Sequence, residues 1–473
     1  MKLLTRAIVL ALGSIGAAAS AHAATYVVTA NAQSFDASLA KKIEAAGGRV
    51  TARLPQIGVA IVESGDSNFA SRASRVPGVR SAVADITLQF DIPESSDVVD
   101  IDIANPPASG DNDTRFDLQW GSAAIDVAGA WNAGYRGAGA TVAVLDSGVA
   151  CNHPDIAGNL LLAQSASFVA GEGVCRAFVN GFNHGTHVAG TIASPDNGTG
   201  TIGVAPQAKI IGVKVLSEVS GSGSFGGIIQ GIVYAADQGA DVINMSLGVR
   251  GGLPVSGKGA NDVVELVNAT KRAVQYARSQ NALTVVSAGN DGRDLDHDSG
   301  TQVCDVDGCY RLNLRAFPAQ LPGALAISAT APTGWAKAPA TTNLDGLASY
   351  SNYGQSAISF AGPGGDSAYP GNENCTMAGL VRPCWVFDLV FAAGGYSISG
   401  GQVFASYSWS AGTSMAAPHV SGVAALIIGK HGGELAPAEV ERILRASSDD
   451  LGKPGVDDAY GSGRVNAARA VTY

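Results

Sequence analysis

Charge is scarce in this chain: Asp, Glu, Lys and Arg make up only 15% of its 473 residues, and acids outnumber bases for a net charge of −10. That surplus argues against nucleic acid or an anionic membrane as partner, because phosphate repels it. The sequence has no paired CxxC, and its seven histidines do not cluster with its six cysteines, which disfavours a zinc site. Beyond the N-terminus no apolar run reaches the roughly 18 residues that a bilayer requires, so no membrane span is expected. Residues 25–90 hold neither His nor Cys and offer no catalytic chemistry of their own. Residues 91–114 hold no Lys or Arg, only acids and the prolines Pro93, Pro106 and Pro107 among small and apolar residues. Such a stretch has too little apolar surface to pack and is expected to be an extended linker.

Glycine is plentiful, with 61 copies, which suits a compact, loop-rich exported protein. Met1 to Ala23 carries Lys2 and Arg6, then AIVLALGSIGAAA, then Ala21-His22-Ala23 as a small-x-small cleavage site; this is the pattern of a secretory signal peptide. Cys151, Cys175, Cys304, Cys309, Cys375 and Cys384 all lie beyond it, and an even count in an exported chain implies disulfides. Neighbours in sequence give the simplest pairing, 151 with 175, 304 with 309 and 375 with 384, although sequence leaves about 15 connectivities open.

TYVVTA, SLAKKIEAAGG, VTARL, GVAIVES, SNFASRASRVPGV and SAVADITLQF read in turn as strand, helix, strand, strand, helix and strand. The order β-α-β-β-α-β over residues 24–90 is that of a small α+β, ferredoxin-like domain. From about Arg115 strands and helices alternate: TVAVLD, KIIGVKVL, DVINMSL, LTVVSAG and ALAISAT, with helices starting near His184, Phe225, Asp262, Ser414 and Pro437. Continuous apolar strands separated by helices predict an α/β parallel sheet with helices on both faces, and sites beyond the strand C-terminal ends.

One stretch carries the chemistry. Gly412 to Pro418 reads GTSMAAP and runs on into HVSGVAALI, placing Ser414 at the start of an apolar helix where backbone N–H groups and the positive helix end converge. A helix-capping serine is the plain alternative. Three partners upstream favour the nucleophile: Asp146 just past the strand in TVAVLDSGV, His184 opening a helix in GFNHGTHVAG, and Asn290 after the strand in VVSAGND. His187 lies on a neighbouring face of the same helix, but HGTH lacks the HExxH spacing and its glutamate, so a metal pair is dismissed.

DSGV at 146–149, HGTHVAG at 184–190, SAGN at 287–290 and GTSMAAPHV at 412–420 together resemble the subtilisin-type serine proteases, over the chain from about Asp117 to its end. The resemblance implies a subtilisin-like fold, with Ser414 as nucleophile, His184 as its base, Asp146 orienting the imidazole, and Asn290 with the Ser414 N–H stabilising an oxyanion. It makes His187 a structural residue behind the site. Substrate would lie extended between Gly221-Ser222-Gly223 and Ser246-Leu247-Gly248, with Gly289 flooring the primary specificity pocket. No acidic cluster in these motifs asks for basic residues, so a broad endopeptidase is expected. A structural calcium site is implied at Asp155 and Asn197, with the carbonyls of Pro195, Thr199 and Thr201 and a contribution from Asp117; catalysis itself needs no cofactor. The domain at 24–90 resembles the family's propeptide, an aid to folding and an intramolecular inhibitor, with the maturation cut in 91–114. The chain is expected to be exported, to the medium or else to the periplasm or cell surface, with monomer as the default state, and the 59 residues after Ser414 are expected to finish the catalytic domain without a C-terminal accessory module. The rivals are a silent binding or scaffold protein and an esterase or ligase on the same scaffold; all four site positions are filled, and the nucleophile is serine, which favours neither.

Overall fold

The structure, a computed structural model, describes residues 23–91, 97–99, 112–176, 181–257, 260–297, 300–305 and 308–473. Of residues 97–99, 301–305 and 308–310 only the backbone is described. The signal-peptide reading and most of the acidic linker therefore fall outside the described residues.

The chain forms two compact units. The first contains β1 (Ala24–Ala30), α1 (Ala37–Ala45), β2 (Arg49–Leu54), β3 (Val59–Ser64), α2 (Phe69–Ala73) and β4 (Val79–Ala84). Its antiparallel sheet runs β2-β3-β1-β4, as the β-α-β-β-α-β reading requires. Asp36 starts α1 by accepting from the Leu39 N–H. Alternate residues of β1 and β3, Tyr26, Val28, Ala60 and Val62, then bury against Ile43 and Phe69 of the helices. This unit also takes Pro254–Leu266 and Asp298–Leu314, and Glu265 pairs there with Arg80 at 2.9 Å. It ends at Asp85 rather than at the expected 90, because β5 (Thr87–Gln89) pairs with a strand of the second unit.

The second unit is built on β6 (Thr141–Asp146), α3 (His184–Ala193), β7 (Lys209–Lys214), β8 (Ser222–Ser224), α4 (Phe225–Asp237), β9 (Val242–Met245), α5 (Ala260–Ser279, of which it takes the part from Val267 on), β10 (Leu283–Ser287), β11 (Ala324–Ala331), β12 (Val390–Ser399), β13 (Gln402–Ser410), α6 (Thr413–Lys430) and α7 (Pro437–Ser447). Each strand and helix anticipated in this region is present. The sheet contains β11-β10-β9-β6-β7 in that order, all parallel. Its two faces are covered separately. Val142 and Val144 enter one core with Val420 and Val423 of α6, while Leu145 and Val213 meet α4, where a Cβ on Gly231 would lie 3.2 Å from Val213. The apolar strands are continuous because both faces are buried.

Asp97–Val99, read from sequence as linker, pairs instead as an antiparallel strand with Tyr407–Trp409 of β13. Disulfides join Cys151 to Cys175 and Cys375 to Cys384. The Cys304 and Cys309 side chains lie outside the described residues, though their backbones face each other in a hairpin register. Among the described residues no helix is long and apolar enough to cross a membrane.

Candidate active site

The strand order turns at β6: the chain goes from β6 to β7 on one side and then to β9 on the other. A crevice opens above the carboxyl end of such a strand. Asp146 is the last residue of β6, and Asn244 of β9 sits opposite Val144, so two residues further on Ser246 is level with Asp146.

Asn183 caps α3 by accepting from the Thr186 N–H at 2.8 Å, which makes His184 the first residue of the helix. His184 Nδ1 lies 2.9 Å from both Asp146 oxygens, and both side chains are only 1% exposed. The Ser147 N–H donates to Asp146 Oδ1 at 2.6 Å and holds the carboxylate. An imidazole that donates from Nδ1 presents Nε2 as an acceptor. His184 Nε2 is buried and has no hydrogen-bond partner among the described residues.

Ser414 is the second residue of α6, after Gly412 and Thr413. Its Oγ donates to the Ser246 carbonyl at 3.3 Å rather than to His184. Ser246 Oγ returns a bond to the Ser414 carbonyl at 2.8 Å and accepts from Asn244 Nδ2 at 2.9 Å, and Asn244 Oδ1 accepts from Ser421 Oγ at 2.8 Å. All four residues are buried, and leaving one such polar group unpaired costs about 1–3 kcal/mol, so the network fixes the start of the helix. Sequence reasoning missed Asn244; its signal is a lone amide inside an apolar strand.

Asn290 Oδ1 accepts from the Thr413 N–H at 2.9 Å and from Thr413 Oγ1 at 2.8 Å. This fixes the amide, leaving Nδ2 to donate to Asp91 Oδ2 at 3.2 Å. Arg250 holds the other Asp91 oxygen at 2.8 Å. Neither Asp91 nor Arg250 stood out in the sequence.

The chain's own residues lie along the anticipated rails. Gln89 and Leu88 pair antiparallel with Ser222 and Gly223, the Phe90 N–H donates to the Gly221 carbonyl at 3.3 Å, and the Asp91 N–H donates to the Gly248 carbonyl at 2.8 Å. Gly223 has no room for a side chain, since a Cβ would come within 2.5 Å of the Val215 carbonyl. On the second rail Gly248 bonds this strand, and Phe90 bridges to the next residue, Val249. The side chains of Ser246 and Leu247 are buried, and the Leu247 carbonyl accepts from Ser287 Oγ at 3.1 Å. Gly289 adopts φ +99°, and a Cβ there would lie 2.5 Å from Asn352 Nδ2, so only glycine fits. Its Cα lies 3.8 Å from the Cβ position of Gly248.

His187 is buried behind the site with Nε2 between the Val390 and Ser408 carbonyls at 3.2 and 3.1 Å. Burial, helped by neighbouring His184, pushes it down to about 3, so it is neutral. His153 and His419 are buried too, bonded to the Ser406 and Met415 carbonyls at 3.1 and 2.8 Å, and burial lowers each to about 4.

At the expected calcium loop Asp155 is buried, with Oδ2 accepting from both the Thr201 N–H and its hydroxyl at 2.8 Å. Its Oδ1 is buried with no hydrogen bond of normal geometry among the described residues, while the Tyr407 hydroxyl lies near enough to the carboxylate to favour its charged form. Burial pushes Asp155 up to about 7, and the nearby Asp113 adds to the rise. Asn197 Oδ1 accepts from the Thr199 N–H at 2.9 Å. No hydrogen bond joins Asp117 to this loop among the described residues; Asp113 does join it, accepting from Gly198 N–H at 2.7 Å. No group of three His, Cys, Asp or Glu side chains that could hold a metal occurs among the described residues. A cation here would thus depend on the Asp155 carboxylate, an amide oxygen and loop carbonyls, a hard-oxygen set that suits calcium.

With this geometry in hand, comparison with known proteins is direct. The profile of the Subtilase family matches residues 137–463. Subtilisin DY of Bacillus licheniformis is 32% identical over 339 residues, spanning 71% of this chain and 92% of that protein. Thermitase of Thermoactinomyces vulgaris is 32% identical over 364 residues, 76% of this chain and 99% of its own length. The epidermin leader peptide processing serine protease of Staphylococcus aureus superposes with a TM-score of 0.70 over 95% of this chain and 98% of that one, at 21% identity, a likeness of fold. The chain belongs to the subtilase family of serine endopeptidases.

Proposed function

We propose that this subtilase is made as a secreted zymogen and hydrolyses peptide bonds through an acyl-enzyme on Ser414. The observation that carries the reading is His184, bonded through Nδ1 to Asp146 with Nε2 buried and unpartnered. Ser414 Oγ turns from the Ser246 carbonyl to donate to Nε2; such bonds are commonly loose before substrate binds. His184 takes the proton as Ser414 attacks, Asp146 stabilises the resulting imidazolium, and the proton passes to the leaving amine. Asn290 Nδ2 and the Ser414 N–H receive the developing oxyanion. Substrate is an extended peptide, held by backbone pairing to Gly221–Gly223 and Gly248 and hence weakly selective for side chains.

Residues 24–90 act as propeptide. The support is the strand Thr87–Gln89 on the rail, with the Asp91 carboxylate on the oxyanion donor, an arrangement that keeps other peptides out. Calcium would be held by Asp155 and Asn197 with the carbonyls of Pro195, Thr199 and Thr201, neutralising the buried carboxylate; Asp113 is a better second acid than Asp117. The mature enzyme is read as a monomer.

The test expresses the exported chain beside its Ser414→Ala twin, following intact mass, labelling by a serine-directed phosphonate and digestion of an unstructured protein. The expected result is trimming between about residues 88 and 116, labelling at Ser414 and digestion in the native chain alone. Identical trimming and no label in either chain would leave a binding or scaffold protein as the reading.

A further inference from the structure

Among the buried cations that the mechanism above leaves unused, Lys214 stands beside the catalytic aspartate. Lys214 ends β7, directly opposite Asp146 in the parallel register, and its side chain is 0% exposed. An ammonium so placed persists only if its charge is paired and its protons are bonded. Lys214 Nζ donates to the Ser147 carbonyl at 2.5 Å and lies 3.1 Å from Glu172 and 4.0 Å from Glu218.

Each partner belongs to a different part of the site. Ser147 follows the catalytic aspartate; its N–H holds Asp146, and its Oγ accepts from the Gly185 N–H in the first turn of the His184 helix at 3.2 Å. Glu172 sits in the loop closed by the Cys151–Cys175 disulfide and accepts from the Glu218 N–H at 3.0 Å. Glu218 adjoins Ser217, which begins the turn into the rail: Ser217 N–H donates to the Ser222 carbonyl at 2.8 Å. Arg176, electrostatically coupled to Glu218, donates to the Phe182 carbonyl at 2.8 Å just ahead of His184. One buried cation thus ties the turn behind Asp146 to the strand that pairs with substrate.

We infer that Lys214 is a positioning residue for the reaction, holding the Asp146 turn and the substrate rail in one register through Ser147, Glu172 and Glu218. It touches no reacting atom. Glu172 reaches it only because the disulfide loop folds back, so that loop is part of the catalytic support. The inference rests on the protease reading above.

The test is kcat per active site, with sites counted by phosphonate titration so that misfolded enzyme drops out of the number. Lys214→Met and the charge-balanced pair Lys214→Met/Glu172→Gln are compared with the parent. The pair removes one charge of each sign, so its effect reports the tether and not a change of field. The expected result is a fall of about tenfold or more in kcat per titrated site in both variants, the scale of loss that small misplacements produce. If neither variant yields titratable sites, Glu172→Gln alone decides; it keeps the Lys214–Ser147 bond and is expected to show a smaller fall in the same direction. Unchanged kcat per site with only a lower Tm overturns the inference, since a purely structural lysine behaves that way. A parent that itself fails to label at Ser414 overturns the protease reading instead, which separates the two failures.

Discussion

Asn290 uses its amide at both ends, and this decides what its loss should do. The oxygen is held by two Thr413 donors, so Nδ2 is fixed before any substrate arrives. A donor placed in advance stabilises charge that appears only in the transition state. Asn290→Ala is therefore expected to lower kcat by about 10²–10³, some 2.7–4 kcal/mol, with KM little changed. Thr413→Val keeps the Thr413 N–H bond to Oδ1 and should lose much less. Steady-state kinetics on one peptide substrate check both. An Asn290→Ala enzyme with raised KM and native kcat would make the residue a binding group rather than an oxyanion donor.

Between residues and the whole lie the loops and strands, and here the Cys151–Cys175 bridge makes a prediction. It closes a loop with a sequence separation of 24. Loop-closure entropy makes such a bridge worth about 3 kcal/mol, and the Cys375–Cys384 bridge, with a separation of 9, somewhat less. The double variant Cys151→Ser/Cys175→Ser should lose about 3 kcal/mol in denaturant unfolding; because its loop carries Glu172, it should also lose kcat per site, whereas Cys375→Ser/Cys384→Ser should lose stability alone. Elements of this kind were the readable part of the sequence. A strand buried on both faces must be an apolar run, so TVAVLD and LTVVS declare themselves, and the four motifs mark where their ends carry Asp146 and Asn290. Pairings between distant polar residues leave no such trace. Lys214 reads as a residue inside the strand KIIGVKVL, Glu172 as loop and Asp91 as the first acid of a linker; only folding brings the first two together and the third to Asn290. Ser246, Leu247 and Gly248 were read as rail by resemblance; the Gly248 carbonyl accepts from the Asp91 N–H, while the side chains of Ser246 and Leu247 are buried, which a backbone rail permits.

For the molecule as a whole, buried titratable groups set opposing demands on pH, and the calcium ion proposed above would decide between them. His153, His187 and His419 have folded values of about 4, 3 and 4 against 6.5 in the open chain, so each is neutral when folded. Their contribution is complete above pH 6.5 and is lost as pH falls through 6.5 toward 4 and 3, because the unfolded chain then gains protons that the folded one refuses. Each is worth on the order of 3 kcal/mol at the acid end. Asp155 works the other way. Its folded value of about 7 lies above the ordinary 3.8, so without a cation its contribution is complete below about pH 4 and is lost as pH rises to 7, where a buried carboxylate must ionise. A bound calcium ion favours the ionised form and removes that loss. The drop in Tm caused by a chelator should therefore be small near pH 4 and grow steadily up to pH 7, while Asp155→Asn abolishes the pH dependence of the drop. Melting curves with calcium and with chelator across that range measure it. A drop that is absent, or constant with pH, would mean that no cation answers to Asp155, whose carboxyl would then be largely protonated in the folded enzyme below about pH 7.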